Sequence, residues 1–149
     1  MEIHRATTAN ADALLDLQRV AFISEAELNN DFNIPPLTQT LAELITEFEH
    51  KTILKVILNG ELVASGQVYF KNASVHIGRM AVLPKLQGQG IGSQLFTALE
   101  KTFPNAQRFE LFTGEHSQKN LAMYQRRGYK PFKVEKFGST KVLFLKRYT

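Results

Sequence analysis

Residues 84–96, PKLQGQGIGSQLF, place Gly88, Gly90 and Gly92 within five positions, just where an amphipathic helical pattern begins. Glycine inside a helix costs roughly 1 kcal/mol relative to alanine. The pattern that follows is otherwise a good core face: Ile91, Leu95 and Leu99, with neighbouring Phe96 and Phe103, run to a stop at Pro104. The run before it, SVHIGRMAVL (74–83), reads as a strand. A strand, a glycine-rich turn and a helix N-terminus in that order make an anion site. The first helical N–H groups lack intrahelical partners, the helix dipole favours negative charge, and absent Cβ atoms let phosphate oxygens approach. The plainer alternative is a tight loop and nothing more.

The rest of the chain fits around that junction. EIHRAT (2–7) alternates like a short strand, and ADALLDLQRVAF (11–22) has Leu14, Leu17 and Ala21 at helical spacing. The polar stretch 24–37, broken by Pro35 and Pro36, reads as an irregular connection with one helical turn. TQTLAELITEFEH (38–50) predicts a second helix with Thr40 and Glu43 as a capping box. Then the period changes to two: TILKVILNGELVASGQVYF (52–70) is two strands joined by Asn59-Gly60, a strong hairpin signal. Beyond the glycines come a strand at 108–113, a helix at 117–127 stopped by Gly128, and two strands around Gly138-Ser139. The order β-α-α-β-β-β-α-β-α-β-β predicts a mixed α/β (α+β) fold, with a largely antiparallel twisted sheet flanked by helices.

With 149 residues, no repeats and no linker-like tract, the expectation is one domain over 1–149. There is no cysteine, so neither a disulfide framework nor a thiolate metal site is available. The start MEIHRATTANADALL does not read as a signal peptide, and no segment approaches the ~20 apolar residues of a membrane span. A cytoplasmic setting is the expectation. The net charge of +4 is scattered apart from QRRGYK (125–130) and the terminal KRY. Neither nucleic acid nor membrane is therefore an expected partner.

Which phosphates would the glycines hold? A P-loop needs Gly-Lys-Ser/Thr, and here Gly92 is followed by Ser93-Gln94. The dinucleotide fingerprint needs G-x-G-x-x-G, whereas this is G-x-G-x-G, and the hairpins before it are wrong for a doubly wound fold. Gln87-Gly88-Gln89-Gly90-Ile91-Gly92 instead resembles the Q/R-x-x-G-x-G/A motif of the GCN5-related N-acetyltransferase (GNAT) superfamily. A second block agrees: Asn120, Tyr124, Gly128 and Tyr129 match the N-x-x-x-Y-x-x-x-G-F/Y segment of that superfamily, in order and at the expected distance.

The resemblance implies a GNAT-like sheet and an acetyl-CoA-dependent N-acetyltransferase acting directly on a primary amine in a ternary complex, without a metal. Acetyl-CoA would lie between the strands at 74–83 and 108–113. Met80, Ala81 and Val82 would face its pantetheine arm, Gln87 through Ser93 its pyrophosphate, and Asn120 the pantetheine again. Tyr124, one helical turn beyond Asn120, would protonate the departing thiolate. The base that some members carry as glutamate, eleven residues before the Q/R, falls on His76, which by simple alternation shares a face with Gly78 and Met80. Glu115, His116, Glu25 and Glu27 are rival bases. The acceptor side, by the same resemblance, is built by the segment holding Glu25, Glu27, Asp31 and Phe32, with Glu115 near it. The acceptor's identity stays open, and a homodimer is one assembly available to the chain. The competing reading is a non-catalytic acyl-CoA sensor or partner module on the same fold.

Overall fold

Turn chemistry sets the first half of the sheet. Asn59 and Gly60, with φ of 52° and 79°, join β2 (Thr52–Leu58) to β3 (Glu61–Lys71) as a two-residue hairpin, Leu58 opposite Glu61. Asn72 and Ala73, both at positive φ, turn β3 into β4 (Ser74–Val82). The computed structural model describes residues 1–149. Its other strands are β1 (Glu2–Arg5), β5 (Arg108–Gly114), β6 (Lys130–Phe137) and β7 (Thr140–Tyr148). Its helices are α1 (Ala11–Asn29), α2 (Pro35–Thr38), α3 (Leu41–Glu47), α4 (Ile91–Lys101) and α5 (Gln118–Arg126). All seven strands form one sheet in the order β1-β2-β3-β4-β5-β7-β6, antiparallel except where β4 lies beside β5. The mixed, largely antiparallel architecture is the one that the order of elements predicts.

One boundary differs. The first helix does not stop near Phe22 but continues to Asn29, where Asn30 turns left-handed at φ 50° and donates its N–H to Ala26 and Glu27. Ala26 is fully buried, so the helix keeps an inward face through a stretch whose polar composition suggested a loop. Glu25 and Glu27 are therefore helical residues. The capping box of α3 forms as read, with Glu43 N–H donating to Thr40 Oγ1 at 3.2 Å and Thr40 N–H to Glu43 Oε1 at 2.8 Å.

Helices cover the two faces unequally. On one face Leu95, Phe96 and Leu99 of α4, all fully buried, pack on Ala64, Val68, Val75 and Ile77; each such side chain contributes about 1.5–3 kcal/mol. The approach is close enough that a Cβ on Gly66 would lie 2.6 Å from Leu99 Cδ1. On the other face Ala11, Leu14 and Leu15 of α1 meet Leu44 of α3 and Ile53 of β2.

Two irregularities in β4 make room for a site. Gly78 pairs with Gln67 and Ala81 with Ser65, so β4 carries an extra residue there, and Arg79 sits in that bulge at φ 51°. The extra residue reverses the alternation. Val75 and Ile77 before the bulge and Met80 and Val82 after it share the α4 side, while Ala81 packs on Leu17 and Ala21 of α1. His76 thus faces away from Met80, and the bulge is why simple alternation put them together. The second irregularity is a fork: β4 and β5 pair only at Val75–Phe109 and His76–Glu110. Beyond it β5 continues along β7 alone, from Arg108–Tyr148 to Gly114–Val142.

Candidate active site

The fork opens into a cavity of about 1130 Å³. β4 contributes Met80 and Val82, the glycine turn and α4 contribute Gly88, Gly90, Gly92 and Ser93, and α5 contributes Asn120, Met123 and Tyr124. Its far wall is the second half of α1, with Phe22, Glu25 and Leu28. Helices from both faces of the sheet therefore meet at one opening, because the missing β4–β5 pairs leave a passage between them.

One end of the cavity suits an anion. Gly88 and Gly90 have φ of 80° and 86°, a region that costs an L-residue, and a Cβ on either would meet nothing within 4 Å. The N-terminus of α4 has no side-chain cap, so its first N–H groups are left for a ligand. Beside it, Arg127 Nη2 donates to the Ser93 carbonyl and to Ser93 Oγ, each at 2.7 Å. The same guanidinium lies 4.8 Å over the Phe96 ring, and its Nη1 donates to Thr97 Oγ1 at 3.1 Å. A fixed cation thus stands at an uncapped helix N-terminus, which strengthens its pull on a phosphate.

The other end holds a phenol, an amide and a carboxylate. The ring of Tyr124 packs against Phe96 at 5.5 Å and Tyr129 at 6.3 Å, yet the residue also lines the cavity. Burial, and after it the negative charge of Glu25, push its phenol well above the ordinary tyrosine range, so it stays protonated at any physiological pH. Glu25 accepts from Asn120 Nδ2 at 3.0 Å and, through its other oxygen, a short hydrogen bond from Ser117 Oγ. A carboxylate has about four acceptor positions, so these two bonds orient Glu25 and leave it able to take another partner.

The profile of the Acetyltransferase (GNAT) family matches residues 12–129. The chain belongs to the GNAT acetyltransferase family. It is 30% identical to the S-alkylcysteine N-acetyltransferase of Bacillus subtilis (strain 168), over 95% of this chain and 85% of that protein. Its fold is similar to the PaiA N-acetyltransferase of Thermoplasma acidophilum in complex with coenzyme A (TM-score 0.80, 14% identity, 99% and 98% of the two chains). It is likewise similar to yncA of Salmonella typhimurium with its cofactor acetyl-CoA (TM-score 0.73, 15% identity, 99% and 93%). As a GNAT N-acetyltransferase it draws its acetyl group from acetyl-CoA.

In this GNAT chain the residues singled out in the sequence separate into two groups. Glu25, Glu27, Met80, Val82, Gln87, Gly88, Gly90, Gly92, Ser93, Asn120 and Tyr124 all line the cavity, as does His116. Ala81, Gln89 and Ile91 do not: Ala81 is buried under α1, Gln89 is exposed, and Ile91 belongs to the core beneath α4. His76 lies at the closed end of the fork, stacked on Tyr69 at 4.9 Å, with its Nε2 donating to the Lys71 carbonyl at 3.2 Å. Asp31 is held by Thr140 Oγ1 at 2.7 Å and Asn33 N–H at 2.9 Å, which keep its carboxyl below the usual range. Phe32 is exposed, and Glu115 faces the neighbouring His116 at 3.4 Å. None of these four lines the cavity.

Sequence reading gave no site role to Phe22, Ser117 or Arg127; Ser117 reads there as the N-cap of α5, but its hydroxyl goes to Glu25 instead. Arg127 was visible within QRRGYK, but a basic run on a helix ordinarily means a solvated face. Nothing local tells that Ser93 sits under it.

Proposed function

We propose that this acetyltransferase acts on the primary amine of a small amino-acid-like acceptor, with Glu25 and Tyr124 serving the two proton transfers. The observation that carries the reading is that Tyr124, kept protonated, and Glu25, held by Asn120 and Ser117, line one end of the cavity whose other end is the glycine cradle. The name of the curated relative supports the acceptor class, and Phe22, Leu28 and Met123 give that end an apolar wall suited to an alkyl side chain. Asn120, with its amide hydrogen on Glu25, keeps its oxygen for the amide groups of the pantetheine arm.

The amine must lose a proton before it attacks, since a lysine-type ammonium has a pKa of about 10.4. Glu25 attracts the ammonium and takes that proton, directly or through water. As the new C–N bond forms the nitrogen sheds its second proton to water, and as the C–S bond breaks Tyr124 gives its phenolic proton to the departing sulfur and recovers one from solvent. The chain has no cysteine to carry the acetyl group as a thioester, which favours direct transfer in a ternary complex.

The test is release of free thiol from acetyl-CoA in the presence of a panel of primary amines, repeated with Tyr124→Phe. The variant should lose about 10²–10⁴-fold in kcat while its affinity for acetyl-CoA stays the same. Unchanged turnover with a true acceptor removes Tyr124 from this role.

A further inference from the structure

Asn29, the last residue of α1, bonds through one amide to its own helix and to the loop between β5 and α5. Its Oδ1 accepts from the His116 N–H at 3.3 Å. Its Nδ2 donates to the Glu25 carbonyl at 2.9 Å and to Ser117 Oγ at 3.5 Å. An amide nitrogen carries two protons, so it can make both bonds at once. Asn29 does not line the cavity, whereas Glu25 and Ser117 do.

Ser117 shows what that amide controls. The residue is 2% exposed and stands at the N-cap position of α5, yet its hydroxyl caps nothing there. It donates to Glu25 Oε2 instead. A hydroxyl has one proton and two lone pairs. With the Asn29 amide proton on a lone pair, the Ser117 proton is left for the carboxylate. Glu25 and Asn29 lie four residues apart on α1, on one face of the helix, so both reach the same serine.

This approach of α1 to the loop depends on a glycine. Gly114, the last residue of β5, has no positive φ, so no turn demands it. A Cβ at that position would lie 2.6 Å from Asn29 Oδ1, 2.7 Å from its Nδ2 and 2.8 Å from its Cγ. All three are inside the roughly 3.5 Å of an ordinary contact. A methyl group at 114 therefore displaces the Asn29 amide from its partners. Gly114 also accepts the Ser117 N–H at 3.0 Å, which sets the serine beside it.

We propose that Asn29, seated against Gly114, is a positioning residue for acetyl transfer. Through Ser117 it directs a proton at Glu25 and fixes that carboxylate where the acceptor amine enters. The assignment rests on the reading of Glu25 as the group that takes the amine's proton. A base acts only within hydrogen-bond reach of that proton, and a shift of about 1 Å caused by a remote change costs up to about 10²-fold.

The test is a set of mutant cycles read as kcat/KM for S-methylcysteine, or for the best amine of the panel, with acetyl-CoA affinity measured by calorimetry. Asn29→Ala and Gly114→Ala should each lower kcat/KM by about 10–100-fold. Acetyl-CoA affinity should hold in both, since neither residue lines the cavity. Gly114→Ala added to Asn29→Ala should cost less than about 2-fold more, because the atoms that the methyl group strikes are gone. On a Glu25→Gln background Asn29→Ala should also cost less than about 2-fold, because the base it positions is absent. Should Asn29→Ala not fold, Gly114→Ala alone and on Glu25→Gln gives the same comparison. Full activity in either single variant overturns the proposal. So does a loss that persists in full on Glu25→Gln, or one matched in acetyl-CoA affinity, since a tie that serves only the fold acts in that way. Full activity in Glu25→Gln, or no thiol release with any amine of the panel, overturns the underlying reading of Glu25 as well.

Discussion

Asn120 donates its side-chain amide to Glu25 at 3.0 Å, and that bond ties α5 to α1 across the mouth of the cavity. The two helices lie 95 residues apart in sequence at this point. Ser117, at the start of α5, holds the other oxygen of the same carboxylate. On the proposed reading a charge placed this way would orient an incoming ammonium, and it adds to burial in keeping the Tyr124 phenol neutral.

Glu25→Gln preserves the shape and removes the charge; its one amide oxygen can accept from Asn120, while its NH2 can donate to Ser117 Oγ in place of the bond that the carboxylate accepted. Steady-state kinetics with saturating acetyl-CoA should show kcat/KM for the amine falling by about 10²-fold, with acetyl-CoA affinity retained in calorimetry. If the variant keeps full activity, the base lies elsewhere.

Tyr124 and Tyr129 give the protein an alkaline limit. Burial raises both phenols in the fold, and Tyr129 is raised further by its hydrogen bond to Glu100. An acid whose pKa is higher folded than unfolded contributes stability below the unfolded value, about 10 for tyrosine, and loses it as pH rises beyond. Thermal melts should therefore hold steady up to about pH 10 and fall above it. Tyr129→Phe should flatten that fall. A melting temperature that does not change between pH 9 and pH 11.5, or that changes alike in the variant, contradicts this account.

The glycine turn separates backbone need from ligand need. Gly90→Ala forces a left-handed conformation at the start of α4 and should destabilise the fold by about 1 kcal/mol, read in denaturant titration. It also sets a methyl group in the open space before the uncapped N–H groups, so acetyl-CoA affinity should fall as well. Gly60→Ala is the control. Its φ of 79° carries the same backbone cost in the β2–β3 turn, outside the cavity, and acetyl-CoA binding should be untouched.

These contrasts mark what could be read from the sequence. Asn59-Gly60, the Thr40/Glu43 box and the periodicity of 91–99 act through neighbours in the chain, so hairpin, cap and helix were legible from a few residues each. The glycine motif and Asn120/Tyr124 were legible because both blocks are local patterns. The extension of α1 was not, since Ala26 is buried by tertiary packing that the polar residues around it give no hint of. Nor was the facing of His76, because one residue inserted at Arg79 inverts everything after it, and no local signal announces a bulge. The links from Glu25 to Ser117 and Asn120 depend on long-range packing alone.

Glu100, on α4, collects three donors: Tyr129 Oη and Arg147 Nη2 at 2.8 Å each on Oε2, and Arg127 Nη1 at 3.4 Å on Oε1. Its side chain is 16% exposed, against 22% and 26% for the two arginines, so water screens the group only in part. Glu100→Gln leaves the amide oxygen to accept but removes the charge opposite two guanidiniums. The expected loss is about 2 kcal/mol, or about 4–8 °C in melting temperature for a chain of this size. Arg127 is the cation bonded to Ser93, and its orientation rests on Glu100 together with Thr97. Acetyl-CoA affinity should thus weaken in Glu100→Gln, whereas Arg147→Met, which breaks the Glu100 pair away from the cavity, should lower stability and leave affinity alone. Equal effects of the two substitutions on acetyl-CoA binding would show that Arg127 needs no anchoring through Glu100.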